Sequence, residues 1–230
     1  MKPVLLWDFD GTLGERPGKW NSAVLTSLDE LLPGHTITRE DITPVLKSGF
    51  LWHEPHVVHT HLTDPVAWWE HNGALLERAL LRLTVPPAVA HAAARRVRAH
   101  YTDVTTWRLY DDTTAALHTL TGHGWRHAIV SNHVPELPEI LAGLGIADCF
   151  EAVVNSAVTG YEKPHPHAFR LALAATGNPR AVWMVGDNPR ADVHGAAAAG
   201  IEGILVRSAR QPGMRHYPDL TSLAAALTDR

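Results

Sequence analysis

The sequence predicts an α/β fold: a Rossmann-like three-layer core on a mainly parallel sheet, together with a smaller all-α helical cap domain. Two observations predict it. Short, continuous apolar runs alternate with segments of helical spacing, as in parallel sheets that carry helices on both faces. A long stretch after the first apolar run shows helical spacing alone.

The predicted core strands are short apolar runs that end in polar residues. The first, residues 4–8, leads into Gly11, which indicates a buried strand and then a sharp turn. Similar runs predict strands over residues 127–130, 152–154, 181–185 and 203–206. Helical spacing between these runs predicts helices over residues 111–120, 137–144, 167–175 and 191–199.

Residues 15–103 differ from the rest because they contain no convincing strand. Their spacing predicts helices over residues 21–32, 39–46, 65–83 and 87–101. Proline and glycine separate these helices, for example at Pro33-Gly34. We therefore expect residues 1–14 and 104–230 to form the Rossmann-like core and residues 15–103 to form a helical cap.

Composition limits the class of protein. The chain has 230 residues, 45% hydrophobic and 19% charged, which suits a core with an insert and argues against wholesale disorder. A net charge of −4 gives no electrostatic footprint for nucleic acid, and no stretch approaches a transmembrane helix. The lone Cys149 cannot form an internal disulfide. We expect a cytoplasmic protein without nucleic-acid or membrane partners; the oligomeric state stays open.

The first chemistry-bearing motif is Asp8-Phe9-Asp10-Gly11-Thr12, at the end of the first predicted strand. The chain turns here, so Asp8 and Asp10 can reach one site. Two carboxylates this close ionise together only beside a cation, and Mg²⁺ prefers carboxylate and carbonyl oxygens. Taken alone, the motif could equally be an acidic surface turn.

Three further polar clusters follow later predicted strands. Ser131 and Asn132 can donate hydrogen bonds to a phosphate oxygen, although a turn or helix cap explains them as well. Lys163 alone would pass for a surface lysine. The segment from Gly186 and Asp187 to Asp192 opens a predicted helix and offers another carboxylate for a metal.

The combination of the clusters is more informative than any one of them. Each lies at the carboxyl end of a predicted parallel strand, where open α/β sheets bind their ligands. Together they offer carboxylates for a metal, a hydroxyl, an amide and a cation. That set suits phosphoryl transfer, in which catalysis is positioning plus neutralisation of charge.

These motifs, in this order and spacing, resemble those of the haloacid dehalogenase-like (HAD) superfamily of hydrolases, in the subfamily that carries an α-helical cap after the first motif. The resemblance covers residues 1–14 and 104–230. It implies a phosphoric monoester hydrolase that uses Mg²⁺ and acts on a small phosphate ester. Asp8 would attack phosphorus and form an aspartyl-phosphate. Asp10 would protonate the leaving oxygen and then deprotonate the attacking water.

The resemblance also implies roles for the remaining motif residues. Lys163 would neutralise the phosphoryl group, which Ser131 and Asn132 would hold. Thr12, grouped with the phosphate-binding residues, would brace the first loop by hydrogen bonding. The metal would be held by Asp8, by the backbone carbonyl of Asp10 and by Asp187, with Asp192 supporting the site.

Asp10 separates the possible reactions within the resemblance, because dehalogenase and phosphonatase members lack an acid at this position. A phosphomutase keeps both acids and stays open as an alternative. A non-enzymatic binding protein is the third and least favoured hypothesis.

The expected cap would close over the strand ends and select the substrate. One stretch of it could contact substrate through aromatic and imidazole groups: Phe50, Leu51, Trp52, His53, His56, His59 and His61. Its histidines could also bind a metal, but surface histidines are the preferred interpretation. Arg95, Arg96 and Arg98 are expected to form a solvated helix face.

Overall fold

The computed structural model describes residues 2–229. Its main sheet has six parallel strands in the order β5-β4-β1-β6-β7-β8. These strands are β1 (Val4–Trp7), β4 (Arg126–Ser131), β5 (Ala152–Asn155), β6 (Val182–Gly186), β7 (Glu202–Val206) and β8 (Arg215–Tyr217). The predicted α/β class with a mainly parallel sheet is confirmed.

Helices cover both faces of this sheet. Along β1, Leu5 and Trp7 join one hydrophobic cluster, while Val4 and Leu6 join a second one on the opposite face. This alternation is the period of a strand that is buried on both sides. The helices of the core part are α5 (Thr113–Gly122), α6 (Leu137–Gly143), α7 (Ser156–Thr159), α8 (Pro166–Ala175), α9 (Gly195–Ala198) and α10 (Leu220–Thr228).

A helical segment lies between the first strand and the rest of the core. It contains α1 (Lys19–Leu31), α2 (Arg39–Val45), α3 (Pro65–Arg82) and α4 (Pro87–Thr102). Two short antiparallel strands, β2 (Gly14–Glu15) and β3 (Arg108–Leu109), pair where the chain enters and leaves the segment. We call residues 15–103 the cap segment; its standing as a separate domain stays a prediction.

The structure differs from the sequence-based expectations at several places. Glu15, the first residue of the segment expected to hold only helices, lies in β2. The helix expected over residues 191–199 is a π-helical turn, Pro189–His194, followed by the short α9. The strands β3 and β8 and the helices α7 and α10 were not predicted. Within residues 2–229, no helix combines the length and apolar character needed to cross a bilayer.

Candidate active site

The site lies where three neighbouring strands end. Because β1 runs in parallel between β4 and β6, their carboxyl ends meet at one edge of the sheet. Asp8 follows β1, Ser131 closes β4, and Asp187 follows β6. The topology therefore brings together residues that lie more than a hundred positions apart in sequence.

Asp8 is held through one of its two carboxylate oxygens. Ser131 Oγ donates a hydrogen bond to Asp8 Oδ1 at 2.7 Å, and Lys163 Nζ lies 3.0 Å from the same oxygen. Among the residues described, no donor reaches Oδ2 of Asp8, and Asp8 lines a cavity of about 390 Å³. The carboxylate is thus oriented from one side and keeps its second oxygen available.

Lys163 is a buried cation between two carboxylates. Besides Asp8, its Nζ contacts Asp192 Oδ1 at 2.6 Å, and only 3% of the residue is exposed. Burial alone would lower the pKa of Lys163, but Asp192 and Asp8 outweigh it and raise that pKa. The ammonium group therefore stays charged at neutral pH, close to Asp8.

Asp192 uses both of its oxygens within the protein. Oδ1 accepts from Lys163, and Oδ2 accepts from the backbone N–H of Asn188 at 2.9 Å. A Cβ atom on Gly186 would overlap the Asp192 carboxylate, so this close approach requires glycine. Asp192 fixes the position of Lys163 and of the loop that carries Asp187.

The acidic group at the strand ends could hold a cation. Oxygen atoms of Asp8, Asp187 and Asp192 lie within 4.8 Å of one another. Burial raises the pKa of Asp187, and the nearby Asp8 raises it further. Since Asp192 is fully engaged, Asp8 and Asp187 are the members of this group with free oxygens.

Asp10 faces the cap segment. Its Oδ2 lies 3.4 Å from Nζ of Lys19, while its Oδ1 is buried without a hydrogen-bond partner among the residues described. Burial raises the pKa of Asp10; Lys19 opposes this shift and Asp8 adds to it. Lys19 opens α1 with a φ of 46°. Sequence reasoning missed it, because no motif marks it.

Asn132 binds the backbone of Lys163 rather than Asp8. Its side-chain oxygen accepts from the Lys163 N–H at 2.7 Å, and its amide group donates to the Lys163 carbonyl at 2.9 Å. Asn132 also lines the cavity. Asn132 therefore fixes the loop that carries Lys163.

Thr12 does not make the hydrogen bond expected of it. Its side chain is fully buried, and Oγ1 has no partner among the residues described. The backbone carbonyl of Thr12 instead accepts from Arg207 Nε at 2.8 Å, and Arg207 also pairs with Asp112. Arg207, which sequence reasoning did not single out, braces the first loop.

The cap segment supplies one wall of the cavity. Its contributions are Lys19, Trp20, Trp52, His53, Pro55 and Tyr101. Of the histidine stretch, only His53 takes part; His56 and His61 are exposed, and the backbone N–H of His59 donates to Gly160. The metal-capable group found among residues 2–229 contains no histidine.

The helix face expected to be solvated is partly engaged. Arg98 Nε donates to Glu136 at 2.8 Å, and Nε1 of Trp69 donates to the same carboxylate at 3.0 Å. Glu136 belongs to the core, directly before α6. Arg96 pairs with Glu30 inside the cap segment. Arg98 therefore joins the cap segment to the core.

Fold and site together define the class: an α/β protein with an acidic, lysine-containing site at the carboxyl ends of a parallel sheet. The chain belongs to the haloacid dehalogenase-like hydrolases, because the model of that family matches residues 3–200. The solved structure of the putative HAD-hydrolase YfnB from Bacillus subtilis, bound to magnesium, superposes with a TM-score of 0.76 at 18% identity and covers 98% of both chains. A HAD phosphatase from Thermococcus onnurineus gives a TM-score of 0.68 at 21% identity, covering 99% of this chain and 98% of that one.

Curated relatives are similar over different lengths. The phosphoserine phosphatase of Thermus thermophilus is 41% identical over 115 residues, or 49% of this chain and 46% of that protein. The chain thus matches about half the length of this relative. A phosphoglycolate phosphatase of Cereibacter sphaeroides is 29% identical over 94% of this chain and 88% of its own length.

Proposed function

We propose that the protein is a magnesium-dependent phosphatase that hydrolyses a small phosphate monoester through an aspartyl-phosphate. One observation carries the proposal: a buried carboxylate, Asp8, is held on one oxygen by Lys163 and Ser131 and keeps the other oxygen free at a cavity. The phosphatase names of several relatives support it.

The first half-reaction uses Asp8 as nucleophile. Its carboxylate attacks phosphorus, the bond from phosphorus to the ester oxygen breaks, and the leaving alcohol takes a proton from Asp10. Lys163 offsets the negative charge of the phosphoryl group at the Asp8 carboxylate. In the second half-reaction water attacks phosphorus and Asp10 accepts its proton. The bond from phosphorus to the Asp8 oxygen breaks, so that inorganic phosphate leaves and the Asp8 carboxylate is restored.

Asp10 suits the acid–base role by its environment. Because burial raises its pKa, the carboxyl group holds a proton more readily than an exposed aspartate does. Nζ of Lys19 lies near Oδ2 of Asp10 and limits the rise in the pKa of Asp10. Asp10 therefore lies between the charged residues of the core and the cap segment, where the leaving group would be.

The acidic group fits Mg²⁺. Asp187 offers two free carboxylate oxygens, and Oδ2 of Asp8 has one lone pair for the ion besides the one that attacks phosphorus; no backbone N–H among the residues described donates to the Asp10 carbonyl. These would hold the ion, while Asp192, occupied by Lys163 and Asn188, would support them. When bound, Mg²⁺ would neutralise charge on the phosphoryl oxygens and on the clustered carboxylates.

Contacts with the phosphoryl group are assigned as follows. Ser131 positions Asp8 through its hydroxyl. Asn132 spends its oxygen and one amide hydrogen on Lys163, which leaves the second amide hydrogen for a phosphate oxygen. A direct phosphate contact by Thr12 has no support from its position, because its buried side chain lines no part of the cavity.

The cytoplasmic location stays a prediction.

The proposal is tested by turnover of phosphate monoesters with and without Mg²⁺. We expect phosphate release that requires Mg²⁺ and falls by at least about 1,000-fold in Asp8→Asn, which keeps the shape but loses the nucleophile. The exposed Asp111→Asn is the matched control. Full activity of Asp8→Asn would refute the mechanism, and isomer formation with little free phosphate would favour the phosphomutase alternative.

A further inference from the structure

The cavity has two chemically different sides. The core side is charged and carries Asp8, Asp10, Lys163 and Asp187. The side formed by the cap segment is largely aromatic and carries Trp20, Trp52 and Tyr101. A phosphate ester bound with its phosphorus at Asp8 would place its leaving group toward the aromatic side. The residues of the aromatic side therefore indicate which kind of leaving group the site accepts.

The aromatic side is a continuous set of stacked rings. Trp20 stacks on Tyr101 with ring centroids 4.0 Å apart and planes inclined by 19°. Phe50 stacks on Trp52 at 4.5 Å and 8°. Trp20 and Phe50, at 4.8 Å, join the two pairs. We call these four residues the aromatic wall. Their mutual packing limits rotation of the rings, so the wall is preorganised for a flat ligand.

Half of the wall belongs to the interior of the cap segment, because Phe50 and Tyr101 are 3% and 4% exposed and Phe50 does not line the cavity. Trp20 and Trp52 are only partly buried and line the cavity. Partly accessible aromatic rings that line a charged cavity are typical of a ligand site.

Hydrogen-bond acceptors on the same side are few. Among the described residues of the cap segment that line the cavity, none is a carboxylate or a side-chain amide; Lys19 and the indole N–H groups of Trp20 and Trp52 only donate, which leaves His53 and Tyr101 as the side chains that can accept. A polyhydroxylated sugar would leave hydroxyl groups unpaired against such a surface, which costs affinity. A planar ring would not incur this cost.

His133 provides a second, independent observation. It lines the cavity between the aromatic wall and the charged core side, and it is 4% exposed. Its ring centroid lies 5.1 Å from that of Trp107 and 5.5 Å from that of Phe9. Neither of its ring nitrogens has a hydrogen-bond partner among the residues described. A neutral imidazole offers one donor and one acceptor, which a ring nitrogen or a polar ring substituent of a ligand could use.

We propose that the site selects phosphate monoesters whose leaving alcohol carries a planar aromatic ring, which lies against Trp20 and Trp52. This inference rests on the proposed phosphatase function. It names the substrate class by chemistry alone: the ring can be attached close to the ester oxygen or lie beyond a sugar, as in a nucleoside monophosphate.

The first test compares four esters with the unmodified protein and Mg²⁺. Pyridin-3-ylmethyl phosphate carries the ring one carbon from the ester oxygen, and uridine 5′-monophosphate carries it beyond the ribose. Glycerol 1-phosphate and ribose 5-phosphate lack the ring. We expect at least one aromatic ester to exceed both others in kcat/KM by about 10-fold or more, the scale of one stacked ring. Equal values, or a preference for the esters without a ring, overturn the proposal.

The second test assigns the preference to the wall. In Trp52→Leu, the ratio of kcat/KM between the better aromatic ester and ribose 5-phosphate should fall toward one. Because the ratio is taken within one preparation, partial misfolding cancels. Trp183→Leu, in β6 and outside the cavity, is the matched control and should keep the ratio. An unchanged ratio in Trp52→Leu contradicts the assignment.

A third measurement separates failure of this inference from failure of the proposed function. If no ester is hydrolysed, the phosphatase proposal fails, and calorimetric binding of the same four compounds still tests the wall. Binding of an aromatic ester about 10-fold tighter than ribose 5-phosphate supports the inference without turnover. Equal affinities overturn it.

Discussion

At the scale of single residues, two glycines hold the acidic group together by leaving space. Gly186 makes room for Asp192, and Gly11, with a φ of 94°, brings the backbone of the first motif against Asp187. A Cβ atom on Gly11 would lie 2.5 Å from Asp187 Oδ2. The conformation and the missing side chain are both required there, so the glycine of the first motif makes room for Asp187 directly.

Gly11→Ala should therefore impair activity beyond its cost to stability. The left-handed backbone costs an alanine about 1–2 kcal/mol, whereas displacement of Asp187 should lower kcat/KM by roughly 100-fold. Gly34→Ala is the matched control, because Gly34 has a φ of 81° and no atom within 4 Å of its added Cβ. Thermal unfolding and kinetics of both variants check this. Equal loss of activity in the two would contradict the steric explanation.

A buried histidine makes stability depend on pH below neutrality. Nε1 of Trp7 donates to Nδ1 of His127 at 3.0 Å, so this nitrogen must be unprotonated. Burial lowers the pKa of His127 to about 4. Between about pH 6.5 and pH 4 the unfolded chain binds the proton and the folded chain does not.

The free energy of unfolding should thus be fully retained above about pH 6.5 and fall toward pH 4, by up to about 3 kcal/mol from His127. His127→Asn, whose side-chain oxygen can still accept from Trp7, should flatten this slope in urea unfolding between pH 7 and pH 4. The exposed His56→Asn should not. An unchanged slope in His127→Asn would show that this histidine does not cause the pH dependence.

At the scale of elements, the strands that carry the site could be predicted because they are buried on both faces. Such strands read as short apolar runs, and β1, β4 and β6 were found within one or two residues of their ends. The edge strand β8 contains only partly buried residues, Arg215, His216 and Tyr217, and has no apolar run to detect. Helix α10 did carry a usable signal, since Leu220, Leu223 and Leu227 follow helical spacing after Asp219.

The motif carboxylates and Lys163 could also be predicted, because parallel strand ends converge whatever the details of packing. Lys19 and Tyr101 could not. Their place at the cavity depends on how the cap segment docks on the core, which local sequence does not encode. The contact of Arg98 with the core was missed for the same reason: Arg98 lies on an exposed helix face, as predicted, but its partner, Glu136, lies in the core.

Glu136 is a contact through which the cap segment is held against the core. Its carboxylate accepts from both Trp69 and Arg98. Glu136→Ala removes both hydrogen bonds, so we expect KM to rise by about 5-fold, equivalent to roughly 1 kcal/mol. Small-angle scattering should show a larger radius of gyration.

Glu30→Ala is the matched control for this prediction. Glu30 pairs with Arg96 and His100, and all three residues lie within the cap segment. Its loss should leave both KM and the radius of gyration near those of the unmodified protein. If the two variants behave alike, Glu136 does not control how the cap segment docks.

At the scale of the whole molecule, the acidic group is an arrangement that destabilises the metal-free protein. Asp8, Asp187 and Asp192 are mutually close, and Lys163 is the single buried cation among them in the part of the chain described. Burial, and then the nearby Asp8, raise the pKa of Asp187, because both disfavour its charged form. A cation that binds only the folded state would relieve this destabilisation.

Mg²⁺ should therefore raise the melting temperature. At ten times its dissociation constant, mass action gives about 1.4 kcal/mol, which for a chain of this size is roughly 3–6 °C. Asp187→Asn should melt higher than the unmodified protein without Mg²⁺, because a repelling charge is gone, and should lose the shift with Mg²⁺. Asp111→Asn, an exposed aspartate, should keep the full shift. If Asp187→Asn responds to Mg²⁺ as the unmodified protein does, the stabilising ion binds elsewhere, and the carboxylates at the strand ends are not its ligands.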